Sequence, residues 1–137
     1  MVLSETSNIL SPFLCHFNHQ SLLWFLFNCG VLYTIGNYHL LKHGASHFFT
    51  VYGAGMAMGS VFTLYQLQRD HDAKLSGAVS GSAALFGYNL FRNAHWFKFG
   101  LTSMSWLALL MVYCVYAGDR AAFGGFSAGY LIFLLGL

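Results

Sequence analysis

Asp119-Arg120-Ala121-Ala122-Phe123-Gly124-Gly125-Phe126-Ser127-Ala128-Gly129 opens the last apolar stretch of the chain. Two charges stand at its mouth, and nothing from Ala121 to Leu137 is charged. Gly125 and Gly129 stand four apart, one above the other on a helix face. A small-xxx-small pair of this kind lets two helix backbones approach closely inside lipid. The stretch therefore reads as a membrane helix built to pack tightly on another.

Working outward, composition gives the solvent. Of 137 residues, 57% are hydrophobic and 7% charged, where soluble domains carry about 25% charged residues. Such a chain cannot cover a water-facing surface, so an integral membrane protein is expected. A net charge of +2 is too small to suggest a nucleic-acid partner. Apolar segments run over about 12–36, 46–68, 75–91, 99–118 and 121–137. A bilayer core takes roughly 17–25 helical residues. The third and fifth segments are short, and a short span survives where neighbours enclose it, which makes the third central. Without in/out alternation the segments are helices, since only helices and closed barrels satisfy the backbone in lipid. The fold class expected is an all-α bundle of about five spans forming one domain over 1–137.

Nearly all charge sits in the connectors 37–45, 69–74, 93–98 and 119–120. Pro12 falls in a first helical turn, where proline is tolerated. With five spans, Lys42, Arg92 and Lys98 fall on one side and Arg69, Lys74 and Arg120 on the other. Three against three leaves the positive-inside rule without an answer. Residues 1–12 hold Glu5 and no Lys or Arg, unlike a signal or transit peptide, so any mitochondrial address is expected to be internal. Cys15, Cys29 and Cys114 lie within spans without a CxxC pattern and read as small packing residues.

Three motifs follow one another in order. The first segment carries His19, Trp24, Asn28 and Gly36. The third opens Ser76-Gly77-Ala78-Val79-Ser80-Gly81. The fifth carries Gly124, Gly125, Ala128 and Gly129. This order resembles the rhomboid family of membrane-embedded serine proteases. In that family the first motif holds a His, a second His five on and an Asn four further, the latter two lining the oxyanion hole. The second motif, Gly-x-Ser-Gly, holds the nucleophile. The general-base His stands three residues before the first Gly of the last pair.

The resemblance implies that Asn28 keeps its family position, that Trp24 replaces the oxyanion His, and that Ala122 replaces the base. Two registers compete for the serine. Ser76 has the better following run, but Lys74 replaces its leading Gly; Ser80 also precedes a Gly, but Ala78 replaces its leading Gly. The resemblance covers the first, third and fifth segments, with the second and fourth matching in length and order. The family's first helix and its long loop are expected to be absent. Gly77 or Gly81 is expected to face Gly125 and Gly129 as a helix-packing contact.

A serine is a poor nucleophile until a base takes its proton, and removing the base costs roughly a million-fold. With alanine at 122 and indole at 24, the chain is expected not to be an enzyme. Other constellations are weaker. His39, His43 and His47 recur at i, i+4 and i+8, a spacing that lines one helix face and can hold a metal. Gly44 interrupts them and no carboxylate accompanies them, so interfacial or partner-contact histidines are expected and no metal. A haem between His19 and His47 would need both on one side of the membrane, which a full first span forbids. The run 69–74 is a solvated loop or a docking patch for a soluble subunit. Aromatics make up 18% of the chain. Phe48, Phe49, Tyr52, Phe62 and Tyr65 read equally as lipid-facing and as partner-facing.

The function expected is that of a non-catalytic accessory or structural subunit of a larger membrane complex. By analogy with small subunits that lack a soluble domain, a mitochondrial inner-membrane respiratory assembly is favoured. The alternative is an inactive binder of client transmembrane helices in trafficking or quality control. A third class, an active protease, would need a base from another chain. Partners expected are other membrane subunits and lipids, not nucleic acid. No cofactor is expected, with bound structural lipids allowed for.

Overall fold

The computed structural model describes residues 22–69, 79–92, 112 and 120–137. The expected span 99–118 lies outside them apart from Val112, as do Ser76, Gly77 and the run 70–74. The elements are α1 (Leu22–Val31), a π-helical turn (Leu32–Gly36), α2 (Asn37–Arg69), α3 (Val79–Arg92) and α4 (Arg120–Leu134). The described residues are all-helical. Among them one stretch is long and apolar enough to cross a membrane, Asn28–Gln66, with Arg120–Leu134 a shorter apolar helix.

The connector expected over 37–45 is not a loop. Its residues are helical and belong to α2, and the chain turns at one residue, Gly44, with φ 83° and ψ 169°. Polar side chains suggested a loop, but none of 37–43 is Pro or Gly, so nothing there breaks a helix. Glycine reaches φ > 0 without a Cβ clash, and Gly44 alone makes the turn. The two sides then fold back on each other. Gly36 lies against the Phe48 ring, and His39 bonds His47. Val31 and Ile35 before the turn share a core with Val51 after it.

The π turn has its own local cause. The Asn37 N–H bonds the Leu32 carbonyl, five residues back. Thr34 Oγ1 donates to the carbonyls of Gly30 at 2.9 Å and Val31 at 3.2 Å. A threonine bonded back to the i−4 carbonyl competes with the backbone ladder and loosens it.

Helix α3 is the centre, and every residue from Val79 to Asn89 is buried. Small residues on both neighbours permit this. A Cβ added at Gly125 would meet the Ser80 backbone, and one at Gly129 the Ala84 carbonyl. On α2, Gly59 lies under the Ser80 side chain and Gly55 against Ala84. These pairs make α3 and α4 parallel and α2 antiparallel to both. Lipid gives no hydrophobic drive between helices, so the contact rests on close van der Waals fit.

The expected partner face of α3 needs correcting in register. The residues opposite Gly125 and Gly129 are Ser80 and Ala84, while Gly81 lies under the Tyr52 ring of α2. One residue along a helix is about 100° of rotation, so Gly81 and Ser80 serve different neighbours. The aromatics of α2 divide between core and surface. Phe48 and Tyr52 stack on each other and pack against the core, and Phe62 lies beside Gly124. Phe49 and Tyr65 face outward, with Leu22, Leu26, Leu41 and Leu131. On a soluble monomer so much exposed apolar surface would be anomalous; on a membrane chain it is surface open to lipid or to a partner helix. Helix α4 ends at Gly136, φ 70°, where Leu137 N–H bonds Ile132 O and Gly136 N–H bonds Phe133 O, a Schellman cap.

Candidate functional site

Two polar positions on α3 mark its two ends. Ser80 sits in the first turn and Asn89 in the last, both fully buried. Nine residues at 1.5 Å each put them about 13 Å apart.

At the Ser80 end, α2, α3 and α4 converge on small residues. Gly59 faces both the Ser80 side chain and the Ala121 carbonyl, and the Ser80 backbone lies on Gly125. The buried residues of α4 are Ala121, Ala122, Gly124, Gly125, Ala128, Gly129 and Ile132. None of them can take a proton. Ala122 is 3% exposed, so its methyl group is part of the packing. Asn28 is buried on α1. Trp24 lies in α1, but its side chain falls outside the described residues, as do Ser76 and Gly77. Of the two candidate serines the described one is Ser80, whose backbone is held against Gly125.

The Asn89 end is polar and wired together. The Asn89 amide NH2 donates to Leu85 O at 2.7 Å and to His39 Nδ1 at 2.8 Å. An amide nitrogen only donates, so His39 Nδ1 accepts and carries no proton. His39 then holds its hydrogen on Nε2 and donates it to His47 Nδ1 at 2.8 Å. By the same step His47 carries its hydrogen on Nε2. His43 completes the triangle, with ring centroids 4.9 Å from His39 and 5.2 Å from His47. The Tyr88 ring touches all three, at 5.2, 5.5 and 4.7 Å from His39, His43 and His47. Its hydroxyl accepts from Arg92, whose guanidinium lies 5.6 Å from the ring centroid.

Sequence reasoning set these histidines aside because Gly44 breaks their helix. The break is what joins them, since it folds the helix back and brings His39 onto His47. His39 is fully buried, and His43 and His47 are partly so. Among the described residues no cluster of His, Cys, Asp or Glu has the arrangement to hold a metal ion.

Compared with curated proteins and with solved structures, the chain matches none. Its sequence does match the Rhomboid domain family over residues 6–137. That is nearly its whole length, and it includes the small-residue faces through which α3 and α4 meet. The chain belongs to the rhomboid family and is a membrane protein of that family's kind.

Proposed function

We propose that this chain is a non-catalytic, five-span member of the rhomboid family that serves as an accessory subunit of a larger membrane assembly. One observation carries the reading: the family's base position is Ala122, buried on an α4 face made of alanine, glycine and isoleucine. Without a base no proton leaves a serine hydroxyl, and the Ser80 backbone is pressed against Gly125 where a substrate would need room. The machinery for folding is kept while the machinery for cleavage is replaced by packing. The mitochondrial inner membrane is the proposed location, by analogy with small subunits that have no soluble domain. An alternative is a binder of client transmembrane helices, favoured by the exposed Leu22, Phe25, Leu26 and Tyr33 along α1 and its π turn.

Extraction in mild detergent followed by size separation and identification of co-migrating chains tests the proposal. Stoichiometric recovery in one large assembly at moderate salt is expected. Recovery as a free monomer, or with varied and substoichiometric clients, would sink the subunit reading in favour of the binder.

A further inference from the structure

The hairpin that turns at Gly44 is held onto α3 by hydrogen bonds that fit only neutral imidazoles. His39 accepts at Nδ1 from the Asn89 NH2 and donates from Nε2 to His47 Nδ1. A further proton on His47 can go only to Nδ1, where it meets the Nε2 hydrogen of His39. Moving that hydrogen to His39 Nδ1 relieves the clash but aims an N–H at the Asn89 NH2. A further proton on His39 itself ends at the same place. Asn89 cannot answer by flipping, because its NH2 also donates to Leu85 O at 2.7 Å. A flip would set two oxygens at that distance. The closed arrangement therefore holds one hydrogen on each of the two rings and no more.

The surroundings give a charged ring no anion to turn to. None of the described residues is Asp or Glu. Tyr88 of α3 faces all three histidines, and His43 stands against both members of the pair. The charges that reach the cluster are those of Lys42 on the same arm and Arg92 of α3, both positive. On α4, Tyr130 lies against Phe91 rather than the histidines.

The two ends of α3 differ in this respect. The Ser80 end is closed by Gly55, Gly59, Gly125 and Gly129 on Ser80 and Ala84, and none of these titrates. At the other end the arm from Asn37 to His43 joins the rest of α2 through Gly44, at φ 83°. We propose that His39, His47 and Asn89 form a pH-sensitive latch that releases this arm from α3 when either ring takes up a proton. Imidazole in water takes up a proton below about pH 6.5. The open arm binds protons that the closed one cannot, so the latch holds fully above that pH and weakens as pH falls through it.

Hydrogen–deuterium exchange of the full chain in detergent micelles, corrected for the intrinsic effect of pH on exchange, tests the latch. From about pH 7.5 to about pH 5, amides over 37–47 and 85–92 should lose protection about thirtyfold for each histidine freed. Amides over 121–129 should change by less than about twofold, since nothing that titrates closes that end. H39Q/H47Q, whose amides still donate and accept but take up no proton, should flatten the response. Unchanged protection over 37–47 in acid overturns the latch. Equal loosening over 121–129 means general acid unfolding and also overturns it, as does a response that H39Q/H47Q retains in full. If that variant does not fold, the unsubstituted chain decides through its histidine ring nitrogens, followed by 15N resonance. At about pH 7.5 His39 and His47 should each carry one hydrogen, on Nε2. A hydrogen on His39 Nδ1 at that pH overturns the proposal.

Discussion

The two ends of α3 use opposite means to fix the same helix. At Ser80 the contact is glycine against α3, on its backbone at Gly125 and Gly129 and on its small side chains at Gly59 and Gly55. At Asn89 it is side chain on side chain, through a chain of donors running from Asn89 to His39 to His47. The first tolerates no added atom. The second tolerates no lost atom, because each buried polar group depends on the next. In the family the Ser80 end is where chemistry belongs, and here it is the less polar of the two.

The largest test adds bulk at the tight end. Gly129→Leu drives a side chain into the Ala84 carbonyl and should cost about 3 kcal/mol or more, read as loss of the folded population on thermal unfolding in detergent. A near-neutral result would show that the helices can part. Next comes a deletion at the wired end. His39→Leu leaves buried partners on Asn89 and His47 and should cost about 2–3 kcal/mol. Adding Asn89→Leu should recover part of that loss, since removing both partners costs less than removing one. A purely additive pair would mean that the hydrogen bond carries no specific coupling.

Ala122→His asks whether the Ser80 end is only one residue from activity. It should not restore labelling by a fluorophosphonate probe, and should cost about 1–3 kcal/mol through overpacking a buried site. Labelling that Ser76→Ala or Ser80→Ala then abolishes would show that this end is a latent active site. At the hairpin turn, Gly44→Ala should cost about 1–2 kcal/mol from its positive φ alone, as nothing lies within 4 Å of the added carbon. The smallest effect is expected at Gly53, whose added carbon also meets nothing within 4 Å. With helical backbone there, Gly53→Ala should stabilise by about 0.5–1 kcal/mol. A loss instead would reveal a tight contact that the comparison leaves out.

The parts of this fold legible in sequence were those whose cause is local. Gly125 and Gly129 declare a packing face by spacing alone. Which α3 residues meet them was not legible. Ser80 and Ala84 form one i, i+4 pair and Gly77 and Gly81 another, and the choice depends on Tyr52 of α2 claiming Gly81. The histidine cluster was hidden by a rule that is true of straight helices only. A glycine ends a periodic face, but when the helix doubles back, residues on either side of the break pair in mirror order: Gly36 with Phe48, His39 with His47. Histidines standing on both sides of Gly44 were a usable signal. Asn89, which fixes the proton order, gave none, because its partner lies fifty positions away.

The π turn over Leu32–Gly36 bears on how this chain can vary in length. A bond from Asn37 back to Leu32 spans one residue more than an α turn does, so the helix there carries a surplus residue without rotating what lies on either side. Removing one residue from this turn would let it relax to ordinary α geometry, with Asn28 and His39 left on their present faces. Removing one residue elsewhere between Asn28 and His39 would turn those two relative to each other by about 100°. Among its described residues the first span thus has one place where its length can change while its register holds, set between a buried asparagine at one end and the histidines at the other.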